Sequence, residues 1–261
     1  MKFDAAIGNP PYNGKGHPLY LKIGKKIKEF SKKVIWLCPT QWVKCQTNKD
    51  YEFYKNHFKC EYYEDVGNPF PDADISNSLG VFVFGDKKLV DLNEITWSRF
   101  ENPKLAKEIF NKIKRYAEKE NLAKYNNCER NFKYYVNAGK IRGHVDKECK
   151  PRWDWTTLFG EEQRKNFNKF EKGNWFHWNF KTKTECKNFI ASTETDILMF
   201  ALYVVKFNND NTSGKVSEYI PYFGDYTKEW TEEMIQKELG LTDKEVEYIH
   251  REMKDFGWKA K

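Results

Sequence analysis

Asn9-Pro10-Pro11-Tyr12 follows directly on the apolar run Phe3 to Ile7, and no other residues in the chain combine type and spacing so pointedly. The Asn9 side-chain oxygen and the Pro10 carbonyl are two acceptors. Together they can take both N–H bonds of an exocyclic amine and leave its nitrogen lone pair aimed at an electrophile. The prolines hold that carbonyl rigidly, and Tyr12 offers a flat face on which an extruded base can stack. Open α/β sheets gather ligands at the C-terminal ends of their strands, which is where this quartet falls. An ordinary proline-terminated turn is the plain alternative.

Other candidates are looser. Lys133-Tyr134-Tyr135 and Lys140-Ile141-Arg142 interleave charge with aromatics. That pattern suits phosphate contact by Lys133, Lys140 and Arg142, or a solvated loop. Pro71-Asp72 with Asp86-Lys87-Lys88 fits the pattern of a metal-dependent nuclease, in which two carboxylates hold Mg²⁺ and a lysine positions the attacking water. Asp86 equally suits a turn after an apolar strand. The five histidines are scattered, and the six cysteines (Cys38, Cys45, Cys60, Cys128, Cys149, Cys186) never form C-x-x-C. Reduced thiols are expected, with neither a disulfide framework nor a structural metal.

The elements that must position the quartet are read from periodicity. Phe3 to Ile7 is a short strand that the prolines end. Leu19, Ile23, Ile27 and Phe30 mark a helix to Lys33 with a basic outer face. Val34 to Cys38 predicts a fully buried strand closed by Pro39. A weak helix at Tyr51 to His57, a strand near Cys60 to Tyr63 and the apolar run Leu79 to Phe84 complete β-α-β-α-β-β, half of an open α/β sheet. This first domain spans residues 1 to 95.

Beyond it the composition changes. A charged helix is expected over Pro103 to Lys124, and an aromatic, basic α+β domain over residues 96 to 215, with Trp175 to Phe180 a core strand and Asn208 to Gly214 a loop. The tail, residues 216 to 261, predicts two short helices, one stopped by Gly240 and one opened by the capping box Thr242-Asp243-Lys244-Glu245.

The 261 residues carry 45 Lys+Arg against 38 Asp+Glu, a net charge of +7, and 17% are aromatic. Disorder throughout is excluded, and nucleic acid is a natural partner for such a surface. No stretch approaches about 18 consecutive apolar residues, and the N-terminal residues lack a signal-peptide pattern. A cytoplasmic protein without a membrane span is expected.

Across FDAAIGNPPYNG, Leu19-Tyr20 and VIWLCPTQWV, the chain resembles the amino-group DNA methyltransferases that use S-adenosylmethionine, in the adenine-N6 branch found in type IIG restriction-modification enzymes. Their amine motif reads Asp, Asn or Ser, then Pro-Pro, then an aromatic. FPDADISNSLGVFVFGDKK looks like that branch's hairpin segment, and IPYFGDYTKEWTEEMIQKELGLTDKEVEYIHREM like the end of such proteins. The resemblance implies a partial Rossmann-like methyltransferase sheet, an α+β target-recognition domain and a helical tail. It also implies catalysis by Asn9, Pro10, Pro11 and Tyr12 on a flipped adenine of double-stranded DNA, stacked by Tyr12 and an aromatic of the hairpin strand. Phe84 is the first candidate for that aromatic and Phe82 the second, both on one strand face.

In that branch a glycine-rich loop and an acidic residue for the cofactor precede the amine motif, whereas here the sequence opens two residues before the motif strand. Tyr222-Phe223-Gly224-Asp225 lacks the strand-loop-helix setting of a cofactor loop. The cofactor-binding residues are therefore unknown, and Phe3 to Ile7 is expected to be an edge strand inviting another chain. A complementary subunit with the cofactor half, a catalytically inactive DNA-binding remnant and a poorly folding fragment are the open alternatives.

Overall fold

The computed structural model describes residues 2–12, 19–44, 49–70, 78–125, 134–142, 152–159, 176–205 and 216–255. It divides into two compact units, Met1–Arg99 and Phe100–Lys261.

The first unit is mixed α/β. Its elements are β1 (Phe3–Gly8), α1 (Leu19–Lys28), β2 (Ser31–Pro39), α2 (Gln41–Lys44), α3 (Lys49–His57), β3 (Cys60–Gly67) and β4 (Leu79–Phe84), followed by a short 3₁₀ turn at Trp97–Arg99. The four strands form one sheet in the order β1-β2-β4-β3. β1 runs parallel to β2, and β4 runs antiparallel to both β2 and β3. β1 is thus an edge strand, bonded along β2 through pairs such as Ile7 with Ile35 and Gly8 with Trp36.

One face of this sheet makes the core. Val34, Trp36 and Cys38 of β2 and Phe82 and Phe84 of β4 are buried there, with Tyr20 and Leu21 of α1, Trp42 of α2 and Phe58. The rings interlock. Phe58 stacks on Phe84 with centroids 4.4 Å apart, and Trp42 lies 5.3 Å from Phe82. Gly80 is needed near the end of this layer, because a methyl group there would come within 2.9 Å of Thr40 Cγ2.

The opposite face is open. Phe3 and Ile7 are 73% and 78% exposed, Tyr62 is 48% exposed, and Ile35, Leu37, Val81 and Val83 are half-buried. This corrects the expectation that Val34 to Cys38 is buried throughout: its residues alternate, because the described helices pack on one side of the sheet. The stripe expected on α1 is also displaced. Its buried residues are Tyr20, Leu21 and Gly24, while Phe30 falls in the turn that closes the helix by Phe30 N donating to Ile27 O, and is 53% exposed.

The second unit holds a three-stranded antiparallel sheet, ordered β6-β5-β7, and five described helices. They are α4 (Pro103–Ala117), β5 (Tyr134–Arg142), β6 (Arg152–Phe159), β7 (Phe176–Phe180), α5 (Lys183–Thr193), α6 (Asp196–Val205), α7 (Glu232–Leu239) and α8 (Asp243–Asp255). α4 stops at Ala117, short of the expected Lys124, and buries Ala106, Ile109, Phe110 and Ile113. α6 is buried from Ile197 to Val205. Such an all-round apolar helix carries no amphipathic signal, which is why periodicity missed it.

The helix ends follow local chemistry. Asn102 caps α4 with Pro103 at the first turn, and Thr182 with Glu185 forms a capping box on α5. Gly240 ends α7 in the left-handed region at φ 65°. Thr242 and Glu245 exchange the expected capping-box bonds at the start of α8. No single described helix is long and apolar enough to cross a membrane. Asn208 to Gly214 lie outside the described residues.

Candidate functional site

Asn9-Pro10-Pro11-Tyr12 leaves the sheet at the C-terminal end of β1. Gly8, its last strand residue, lies against Trp36: a methyl group at Gly8 would come within 2.9 Å of Trp36 Cζ3. The indole is itself fixed, since Trp36 is buried and its Nε1 donates to Tyr20 O at 3.3 Å. The strand exit is therefore held by a ring from β2, with a residue type that allows the close approach. Past it Asn9 is exposed, Pro10 buried, Pro11 exposed and Tyr12 half-buried.

Tyr12 turns back onto the motif. Its hydroxyl donates to Asn9 Oδ1 at 2.6 Å. Partial burial pushes the phenol's pKa above its ordinary value and the neighbouring Cys38 thiol adds to this, while the bond to Asn9 opposes it. Tyr12 is a neutral donor at physiological pH. Cys38, at the end of β2, is wholly buried, and burial drives its thiol pKa strongly upward, so it is no nucleophile.

The strand directions bring three further segments to this end of the sheet: Thr40 after β2, Gly67 at the end of β3, and Ser78 before β4. They are clasped together. Thr40 N donates to Ser78 O at 2.9 Å, and Lys44 Nζ donates to Ser78 Oγ at 3.0 Å and to Asp65 at 2.5 Å. Gly67, at φ 66°, turns the chain away from β3, and Phe70 follows with its amide bonded to Asn68 Oδ1. Phe70 is 41% exposed.

The stacking candidates from sequence stand elsewhere. Phe82 and Phe84 share one face, as expected, but they are 0% and 1% exposed and packed by Trp42, Phe58 and each other. Neither ring has a face open to a ligand, so both serve here as core. The aromatic residue that sequence reasoning passed over at the motif end is Phe70. Its signal was the turn-rich Gly67-Asn68-Pro69-Phe70-Pro71 setting, which exposes a side chain that composition alone assigns to a core.

Asp86 of the nuclease pattern follows the C-terminal end of β4, the opposite end of the sheet from Asn9. It is exposed and accepts a 3.4 Å contact from Lys28. Pro71 and Asp72 lie outside the described residues. In the second unit, Lys140 and Arg142 fall on β5 across from Asp154 and Arg152 of β6 by backbone register. Their side chains, and all of Lys133, lie outside the described residues.

The described part of the second unit adds a cleft of about 350 Å³ lined by Lys112 and Arg115 of α4 and Lys119 in the turn after it, with Glu238 and Gly240. From sequence this stretch is only a charged helix, and nothing singles out these three cations. Asp196, Glu232 and His250 bring donor atoms within 4.8 Å of one another. Their contacts account for them: Glu232 accepts from Ile197 N at the start of α6 and pairs with His250 at 3.2 Å.

No protein-family model matches the chain, and no curated protein matches it.

Proposed function

We propose that this chain is the base-holding part of an S-adenosylmethionine-dependent DNA adenine-N6 methyltransferase. The observation that carries the reading is the quartet itself: Asn9 and Tyr12, joined by their 2.6 Å bond, stand at the C-terminal end of a strand in an open mixed sheet. Two parallel strands at one edge and an antiparallel hairpin at the other support taking this sheet as the part of a Rossmann-like methyltransferase sheet that begins at the motif strand.

The chemistry asks little of the chain beyond placement. Asn9 Oδ1 and the Pro10 carbonyl accept the two N–H bonds of the adenine amine, which turns its lone pair toward the methyl group that bound S-adenosylmethionine supplies. Transfer would form the N–C bond as the methyl's bond to the sulfonium sulfur breaks and that sulfur takes the electron pair, and the amine would release its surplus proton along one of these hydrogen bonds to water. Tyr12 stacks on one face of the flipped base. With Phe82 and Phe84 in the core, exposed Phe70 is the aromatic we assign to the other face.

The open edge of β1 and the exposed Phe3 and Ile7 support a complementary chain or segment, carrying the cofactor site, that pairs there. Lys140, Arg142 and the Arg115 and Lys119 cations of the cleft are assigned to DNA phosphates.

The test is to co-express the chain with its flanking reading frame in a bacterial host lacking adenine methylation, and to measure N6-methyladenine in the genomic DNA by mass spectrometry. Methylation is expected, and Asn9→Ala should lower its rate about 10²–10³-fold with little change in DNA affinity. Replacing Lys140 and Arg142 together by Ala should weaken DNA binding and flatten its salt slope, leaving turnover at saturating DNA near normal. Methylation by Asn9→Ala at the parent rate would sink the assignment.

A further inference from the structure

We propose that the Tyr12 hydroxyl is a positioning group that fixes the Asn9 amide for the incoming amine, separately from the stacking its ring provides. The proposal rests on the adenine reading and deepens it.

Asn9 is exposed beyond the strand, and an exposed amide rotates among several rotamers. Here its oxygen accepts from Tyr12 three residues on, at 2.6 Å, across two prolines whose φ angles are fixed. The bond closes a small, stiff loop. A carbonyl-type oxygen has two lone pairs, so accepting from the phenol leaves the second for an amine N–H. Tyr12 can perform this task because its ring is half-buried beside Cys38 and the hydroxyl stays protonated. A preorganised acceptor then meets the amine without first losing rotational freedom at the moment of reaction.

This role is separable from stacking. Tyr12→Phe keeps the flat ring and removes the donor, so a residue that acted by stacking alone would tolerate the change. The pair is also closed within the motif, so its loss should leave the fold intact.

Two measurements test the proposal. In the purified, ¹⁵N-labelled chain, the side-chain amide of Asn9 should give a rigid relaxation signature, and Tyr12→Phe should make it mobile at an unchanged thermal midpoint. An Asn9 amide as mobile in the parent as in the variant overturns the proposal, whatever reaction the protein performs. In the co-expressed, methylating preparation, Tyr12→Phe should lower kcat about five- to tenfold, the size of one hydrogen bond, with unchanged DNA affinity. On the Asn9→Ala background the same change should cost nothing further, because the partner is already gone. A Tyr12→Phe rate equal to or above the parent's overturns the positioning role. A parent that does not methylate, yet holds Asn9 rigid, overturns the adenine reading and with it the catalytic sense of the pair.

Discussion

Gly8 and Trp36 are in such close contact that the glycine has no room for a side chain: a Cβ at Gly8 would stand 2.9 Å from Trp36 Cζ3. Gly8→Ala must therefore displace either the indole, which also holds Tyr20 O, or the strand end that carries Asn9. Overpacking of this kind costs about 1–3 kcal/mol. Denaturant unfolding should show that loss, and Trp36→Phe on the same background should recover part of it. Full stability in Gly8→Ala alone would mean that the ring does not set the position of the strand exit.

Lys44 and Asp65 tie the end of α2 to the end of β3, 24% and 33% exposed in their side chains and joined through Ser78. A pair this open to solvent contributes modestly. A double-mutant cycle of Lys44→Met and Asp65→Asn should return a coupling of about 1 kcal/mol that shrinks in high salt. The same variants should raise proteolytic cleavage between Gly67 and Ser78, since the clasp holds both ends of that connection. Unchanged cleavage would remove the clasp from any account of how Phe70 is presented.

Glu245 makes acid stability partly predictable. Burial raises its pKa, but the ammonium of Lys112 at 2.8 Å, with the Thr242 amide and hydroxyl, outweighs that and holds the carboxyl below its ordinary value. A carboxyl depressed in the folded state contributes stability above its unfolded pKa of about 4.3, and that contribution fades as pH falls through the folded value. Glu245→Gln should flatten this part of the stability profile between pH 6 and the acid limit. A profile identical to the parent's would show that the ion pair contributes nothing to folding.

The purified chain alone should not bind S-adenosylmethionine at micromolar concentration, because its described loops offer no glycine-rich strand-to-helix turn against which a nucleotide could lie. Calorimetry decides the point, and measurable heat at a stoichiometry of one would place the cofactor site within this chain.

Its open β1 edge should also show in sedimentation. Self-association or capture of the flanking gene product is expected, and Ile7→Lys should suppress it by putting a charge on the exposed face. A stable monomer over the whole micromolar range, with or without the flanking product, would count heavily against a docking role for that edge.

The sequence was most readable where local chemistry acts alone. Phe3 to Ile7 stops at its prolines, Leu79 to Phe84 forms β4 at the predicted bounds, and Gly240 and Thr242 punctuate the tail helices as read. Burial was harder to read. Ile35 and Leu37 look like core in any hydropathy pattern, yet they are only half-buried because coverage of a sheet face depends on elements distant in sequence. The same limit hid the burial of Phe82 and Phe84, strand-like aromatics that lie in the layer with Trp42 and Phe58. The Tyr12 to Asn9 bond left no trace in the sequence beyond the three-residue spacing.

A sheet with core on one side has a thermodynamic signature of its own. Phe3, Ile7 and Tyr62 already meet water in the folded first unit, so unfolding exposes less new apolar surface than its length suggests. Its heat-capacity increment should fall below the usual 12–15 cal/mol/K per residue or so, and its denaturant m-value should be correspondingly shallow. Whatever chain comes to rest on that face would steepen both, so the curvature of a stability plot becomes a reporter of assembly at the edge that ends in Asn9.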